Sequence, residues 1–362
     1  MTNSHTLFKQ LSPYFSFNKA RLKVLCCLLI GVIRSRDVNL VKLASFQTSA
    51  ATDDSQYRKL QRFFKLWKYD WKEQAKMTLS KIKKPAGGYL LNMDRTNWQF
   101  GKTHINILTV GIVIGKVSMP LVWTTLPQTT KRGNSNAKQR IALMNKVLKV
   151  LPAKDIFCFT IDREFNGQSW LEWLDENDIS YVLRLRKNTH INGKQAKFTK
   201  TTRHSKNYQR QEVFGLQLYY GVKSIQKGRA DYLYVISNKL TPLEALEVYR
   251  SRWSIEVFFG HLKKKGFNLE NTHMSDKTNI NNLIAVLALA FLYTIGFGVL
   301  LKEKTTLTAH QKRKSTFRLA LDLLSSMFAQ PSKYKEKAEL FEHWVCSRLE
   351  PSIFVVSCEF AR

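Results

Sequence analysis

The segment Tyr89-Leu-Leu-Asn-Met-Asp94 is where the character of this chain changes. Before it, apolar residues recur at spacings of three and four, which lines them along one face of a helix. From Tyr89 they gather instead into short β-branched runs, the pattern of buried strands. Ile105 to Ile114 and Val117 to Thr125 follow across short polar or glycine breaks, so a meander of three strands is expected. Helical spacing returns over Asn136 to Leu151, then a short buried strand over Ile156 to Ile161, a helix over Gln168 to Glu176 and a strand over Tyr181 to Leu185.

Three strands, helix, strand, helix, strand is the order of an RNase H-like sheet. The fold class expected is therefore α/β: an RNase H-like mixed sheet with a β-strand insertion, an all-helical domain before it and a helical C-terminal region after it. The boundaries expected are 1–85, 86–302 and 303–362. The first falls at the charged, turn-rich linker Lys81 to Gly88. The insertion, about 186–230, lies in a stretch from Arg184 to Arg229 with twelve Lys or Arg and one acid, Glu212, and includes strand-like Val213 to Tyr220. A strand over Tyr232 to Ser237 follows. Thr241-Pro-Leu-Glu244 then starts a helix, with a capping Thr, Pro at its first position and Glu three residues after the cap, and this helix is expected to run to about Lys265, before Gly266.

Within the first 85 residues, Thr52 can cap a helix over which Tyr57, Phe63 and Phe64 fall on one side and Arg58, Arg62 and Lys65 on another. With the short helix Val38 to Phe46 before it, this resembles a helix-turn-helix whose second helix enters a DNA major groove, with Arg58 and Arg62 as DNA contacts. An amphipathic helix with a solvated basic face accounts for the same pattern, and both readings stay open.

Bulk composition points the same way. Against 58 Lys and Arg stand 27 Asp and Glu, a formal net charge of +31. That surplus would repel itself without a polyanionic partner; nucleic acid is the commonest, and an anionic membrane is the rival. Five scattered cysteines with no paired spacing suggest a reducing, cytosolic setting. The apolar run Val24 to Ile33 is followed by Arg34-Ser-Arg-Asp37 in place of a small-residue cleavage site, so it is not read as a leader. Leu283 to Leu301 is long enough to span a membrane, but a fully buried core helix is the expectation.

Three acids carry the chemistry. Asp94 and Asp162 each end an apolar strand, where an Asp is commonly only a turn or cap. Glu256 lies in Tyr249-Arg-Ser-Arg-Trp-Ser-Ile-Glu-Val-Phe-Phe-Gly-His-Leu-Lys263. At ~100° per residue, Tyr249, Arg252, Glu256 and Lys263 fall within a stripe of about 60°. Arg252 and Glu256 could also be a plain i, i+4 surface pair.

The spacing of Tyr249, Arg252, Glu256 and Lys263 resembles the YREK motif of bacterial insertion-sequence DDE transposases, with Asp94 and Asp162 in the places of that family's two aspartates. The resemblance covers nearly the whole chain. It implies that Asp94, Asp162 and Glu256 are the catalytic residues and metal ligands, holding two Mg²⁺ or Mn²⁺ ions ~3.5 to 4 Å apart. It implies DNA contacts by Tyr249, Arg252 and Lys263, on phosphates beside the scissile bond. It also implies cut-and-paste transposition: double-stranded transposon-end repeats and target DNA as partners, a homodimer in the synaptic complex, no membrane, and a cytoplasmic, nucleoid-associated prokaryotic location. The course expected is a nick, a hairpin, its resolution by water, and strand transfer.

One departure stands out. Hairpin-forming members of the family are expected to stack a flipped base on a tryptophan of the insertion, and Arg184 to Arg229 has no Trp, leaving Tyr219, Tyr220 or Trp253 as substitutes, or a different hairpin step. Trp253 itself reads as a packing residue. Trp98, Arg132-Gly-Asn-Ser135, His261 and the basic Lys312 to Arg318 stay outside the catalytic set. Two alternatives remain: a catalytically inactive DNA-binding regulator derived from a transposase, and a membrane-attached basic protein.

Overall fold

A computed structural model describes residues 3–46, 51–127, 135–199, 202, 208–225 and 231–349. Its elements, in chain order, are α1 (Asn3–Leu11), α2 (Lys19–Ser35), α3 (Leu40–Ser45), α4 (Asp53–Leu66), α5 (Trp71–Ser80), β1 (Tyr89–Phe100), β2 (Thr103–Ile114), β3 (Val117–Thr125), α6 (Ala137–Leu148), β4 (Ile156–Ile161), α7 (Gln168–Glu176), β5 (Tyr181–Arg184), β6 (His190–Ile191), β7 (Lys194–Gln195), β8 (Gln211–Val213), β9 (Leu216–Ser224), β10 (Tyr232–Ser237), α8 (Pro242–Tyr249), α9 (Ser254–Leu262), α10 (Lys277–Lys304), α11 (Ala309–Arg313), α12 (Thr316–Ala329) and α13 (Lys335–Cys346). They form two compact units. One comprises Met1–Lys83, Trp98–Ile105 and Phe258–Glu350; the other comprises Lys84–Asn97 and Asn106–Val257.

The first unit is helical and built around α10. This helix is long and apolar enough to cross a membrane, yet 94% of its most apolar window is buried inside the protein. It packs against α2, α4, α5, α12 and α13, so its uniform hydrophobicity is that of a core helix enclosed on all sides. Val24 to Ile33 forms the middle of α2 and is mostly buried there. One polar residue inside α10 closes off a neighbouring helix. Asn282 donates to the carbonyls of Phe64 and Trp67, both at 2.9 Å, and so satisfies the C-terminal end of α4. Gly296 lets α10 meet Trp344, because a methyl group there would sit 1.9 Å from the indole ring. Polar breaks in the sequence start the helices: Asn18, Asn39, Thr52 and Asp70 each accept a first-turn amide of α2, α3, α4 and α5.

Among the described residues, the second unit carries an eight-stranded sheet in the order β3-β2-β1-β4-β5-β10-β9-β8. β2 and β3 pair antiparallel, β1 runs parallel to β4 and β4 parallel to β5, and β10, β9 and β8 continue antiparallel. The chain is thus mixed α/β, with helices before and after the sheet. Among the described residues between β5 and β10, β9 and β8 extend this sheet, while β6 and β7 pair antiparallel as a separate two-stranded sheet. Val213 to Tyr220 is not one strand but the bend of a hairpin: Phe214 and Gly215 both take positive φ (56° and 77°), which reverses the chain between β8 and β9. α8 lies on the face of β4, β5 and β10, where Ala245, Leu246, Val248 and Tyr249 pack with Cys158, Val182 and Val235.

Candidate active site

The register of β1 and β4 sets the site. Their last pair is Met93 with Ile161, so Asp94 and Asp162 follow side by side at the C-terminal edge of two neighbouring parallel strands. Such edges are where open α/β sheets place ligands. Asp162 does follow the end of its strand, but Asp94 does not end β1, which continues to Phe100 beside β2; only its pairing with β4 stops there. Both carboxylates are half-buried.

Glu256 reaches the same edge through a helix that is not continuous. In place of one helix running to about Lys265, α8 stops at Tyr249, a 3₁₀ turn covers Arg250 to Trp253, and α9 ends at Leu262. The buried Ser251 hydroxyl donates to the Val248 carbonyl at 2.7 Å, a local bond that competes with α-helical pairing. The tighter turn has a useful result. At three residues per 3₁₀ turn, Tyr249 and Arg252 eclipse each other, so both aim at the aspartates. Tyr249 donates its hydroxyl to Asp162 Oδ1 at 3.1 Å, and Arg252 donates Nη1 to Asp94 Oδ2 at 3.2 Å and Nη2 to Glu256 Oε1. Tyr249 and Arg252 are each only 6% exposed.

Buried polar bonds hold this arrangement to the sheet. Asn92, two residues before Asp94, donates to the Ser254 hydroxyl at 2.8 Å and accepts from Ser118 at 2.7 Å, tying β1 to β3 and to the start of α9. Gly111 leaves the room: a Cβ there would lie 2.1 Å from Ser118 Oγ and 3.3 Å from Asn92 Oδ1.

The electrostatics are those of acids short of positive charge. Burial pushes the Asp94 carboxyl up to about 7, with Asp162 and Glu164 adding to the rise, while the Arg95 amide and Arg252 oppose it. Burial and the Asp162 charge raise Tyr249. Burial works against the charge of Arg252, yet Tyr249, Glu256, Asp162 and Asp94 outweigh it and hold its proton more firmly still. Because the folded state binds the Asp94 proton more tightly than the unfolded chain, stability without divalent ions is expected to fall as pH rises from about 4 to about 7. Asp94→Asn should flatten that slope in chemical denaturation across this range. Equal slopes in both proteins would remove Asp94 as its source.

Among the described residues, no group of three His, Cys, Asp or Glu side chains stands close enough to hold a metal ion. Arg252 is the cation that joins Asp94 and Glu256. The donor chemistry nevertheless fits Mg²⁺ or Mn²⁺: all three acids offer hard oxygen ligands, and the ionised form of buried Asp94 is under-compensated.

The remaining sequence candidates divide between the two units. Lys263 belongs to the helical unit, past the end of α9, and pairs with Glu270 at 3.1 Å. Arg58 and Arg62 are exposed on α4, opposite buried Leu60, Phe63 and Phe64, and line a groove with Asn39 and His273. Trp253, expected to pack, is instead 62% exposed, because the 3₁₀ turn directs it away from the sheet. His261 is a core residue stacked on Phe317 at 4.0 Å, and burial and Lys265 push its pKa down to about 4. Trp98 is buried. Lys314 and Arg318 pair internally with Asp322, at 2.7 and 3.0 Å. Arg132, Gly133 and Asn134 lie outside the described residues. Sequence reasoning did not single out Asn92, Ser254, Arg95 and Arg140; the one available signal was an Arg directly after the first aspartate and a Glu two after the second.

Among solved structures, a crystal structure of endonuclease V from Bacillus subtilis is similar at 10% identity and a TM-score of 0.33, over 62% of this chain and 96% of that one. A likeness at that level carries no argument. No curated protein matches the chain. A family model described as the transposase DDE domain, however, matches residues 93–293, a span that includes Asp94, Asp162, Tyr249, Arg252 and Glu256. With more than half of its 362 residues matched, the chain belongs to the DDE transposases, a catalytic phosphotransferase family that acts on DNA and generally uses divalent metal ions.

Proposed function

We propose that this chain is the transposase of a bacterial insertion sequence of the YREK type. It binds the double-stranded inverted repeats at its element's ends, cuts there and joins the freed 3′ ends to target DNA. It acts as a homodimer in the synaptic complex, in the cytoplasm on the nucleoid. The observation that carries this is a pair of hydrogen-bonded groups at one sheet edge: Tyr249 on Asp162, and Arg252 on both Asp94 and Glu256. The strand order β3-β2-β1-β4-β5, with β1, β4 and β5 parallel, supports an RNase H-like sheet beneath it.

Asp94, Asp162 and Glu256 would hold two Mg²⁺ or Mn²⁺ ions. When bound, such ions activate an attacking water or 3′-hydroxyl and steady the leaving oxygen. Arg252, with a fixed charge, can exchange its carboxylates for a DNA phosphate through the same fork of donors. Tyr249 orients Asp162 and offers a phenol beside it. Arg58 and Arg62 present charge on the exposed face of α4 to the end repeats, and Lys263 presents its ammonium to backbone phosphate.

Trp253 is the aromatic best suited to stack a flipped base, since Tyr220 is hydrogen-bonded to Thr199 at 2.7 Å and Tyr219 lies under Arg210 at 5.1 Å. Trp253→Ala is expected to lower hairpin yield by roughly tenfold on denaturing gels while the first nick persists. Unchanged hairpin yield would pass that role to another aromatic.

A change of ligand tests the metal reading. Asp162→Cys should be inactive with Mg²⁺ and regain nicking with Mn²⁺, because a thiolate is a poor ligand for the harder ion. Full activity of that variant in Mg²⁺ would remove Asp162 from the metal site.

A further inference from the structure

Backbone pairing between β1 and β4 ends at Met93 and Ile161, one residue short of the two aspartates. Past that point a side-chain link takes over. Arg95, directly after Asp94, donates Nε to Glu164 Oε1 at 3.3 Å and Nη2 to Glu164 Oε2 at 3.2 Å; Glu164 lies two residues after Asp162. This is a two-bond fork between a guanidinium and a carboxylate, the most geometrically restrictive of ion pairs. It is also largely removed from water, with side-chain exposures of 13% and 26%.

Both ends of the link are anchored. Arg95 donates Nη1 to Asn106 on β2 at 3.0 Å, and Asn106 is buried. On the other side, buried Arg140 of α6 donates to the backbone carbonyls of Glu164 at 3.3 Å and Asn166 at 2.8 Å, and to the carbonyl and hydroxyl of Ser135 at 2.6 and 3.1 Å. A chain of bonds thus runs from β2 through Arg95 and Glu164 to α6. Asp94 directly precedes Arg95 and Asp162 lies two residues before Glu164, and Asp94 Oδ1 itself accepts the Arg95 amide at 2.7 Å.

We infer that Arg95 and Glu164 are positioning residues whose paired side chains set the separation of Asp94 and Asp162. The inference rests on reading those two aspartates as metal-holding acids. Glu164 is thereby a brace and not a further ligand: Arg95 engages both of its oxygens, leaving the aspartates to face the reacting phosphate.

The test is a double-mutant cycle on the full chain with Arg95→Gln, Glu164→Gln and the double variant. Three quantities are read: Mn²⁺ affinity by electron paramagnetic resonance without DNA, nicking rate at saturating DNA and metal, and melting temperature. Each single variant should weaken Mn²⁺ binding by about 10- to 100-fold, as loss of a group that orients ligands does. The double variant should be no worse than the weaker single. Melting temperature should fall in each single variant and recover in part in the double variant, because deleting one partner strands the other, while end-DNA affinity should stay near wild type. Arg95→Lys, which keeps the charge but loses the fork, should fall between and carries the test if a glutamine variant does not fold.

A lowered melting temperature with unchanged Mn²⁺ affinity would make the pair merely structural and overturn the inference. So would losses that add in the double variant, or a large loss in Glu164→Gln with none in Arg95→Gln, which would make Glu164 a ligand. Wild-type protein that neither binds Mn²⁺ nor nicks DNA would overturn the functional reading and the brace with it. Wild-type activity matched by all variants would overturn the brace alone.

Discussion

Glu256→Gln is expected to lower Mg²⁺-dependent nicking by at least roughly a thousandfold while leaving affinity for the transposon ends close to wild type, since losing a group that acts within a catalytic unit is grossly costly. The substitution keeps the shape and removes the charge. Arg252 can still donate to the amide oxygen, and Glu256 is on the rim of the site, at 34% side-chain exposure, so little packing is disturbed. The helix carrying it stays fixed through Ser254 and Asn92. What is lost is one negative ligand among three. Rate on a nicked-end substrate and binding by gel shift separate the two effects, and a variant with full activity would remove Glu256 from the catalytic set.

Arg252→Ala has the second largest effect, and it falls on stability as well as rate. The guanidinium is 7% exposed and sits between two carboxylates. Removing it leaves Asp94 and Glu256 without their shared cation and costs about 3 kcal/mol, the order measured when one partner of a buried pair is deleted. A fall of about 10 °C in melting temperature follows for a unit of this size. Added Mn²⁺ should restore part of that stability, because a bound cation substitutes for the missing charge. A variant as stable as wild type would mean that Arg252 does not neutralise the acids. Arg252→Lys keeps charge but not the fork, so it should recover less than half of the loss.

Much of the sheet was legible because its signals are local. Strand β3 runs from Val117 to Thr125 as expected, and β4, α7 and β10 keep their expected limits, since apolar runs with strand or helix spacing mark them without help from the rest of the chain. The capping box at Thr241 and Glu244 starts α8 as read. Features set by one side-chain bond or one backbone angle were not legible. At the break after Tyr249 the Ser251 hydroxyl bonds the Val248 carbonyl, and helical phase alone treats that serine as neutral. The hairpin at Phe214 needs a positive φ at a phenylalanine, a conformation that composition does not announce.

The candidate site divides the same way. Asp94, Asp162, Tyr249, Arg252 and Glu256 were singled out from spacing and resemblance, and hydrogen bonds join Tyr249 to Asp162 and Arg252 to Asp94 and Glu256. Lys263 follows the end of α9 and pairs with Glu270. Arg95 and Glu164 are 69 positions apart, and only the register of β1 against β4 makes them neighbours.

The most direct measurement uses DNA that carries the element's own terminal repeats, incubated with the purified chain and Mg²⁺ or Mn²⁺. Expected are nicks at the repeat boundaries that leave 3′-hydroxyls, absent with EDTA and absent in Asp94→Ala, Asp162→Ala and Glu256→Gln. Binding to those ends with no metal-dependent nick by the wild-type chain would contradict a catalytic transposase and leave a DNA-binding regulator.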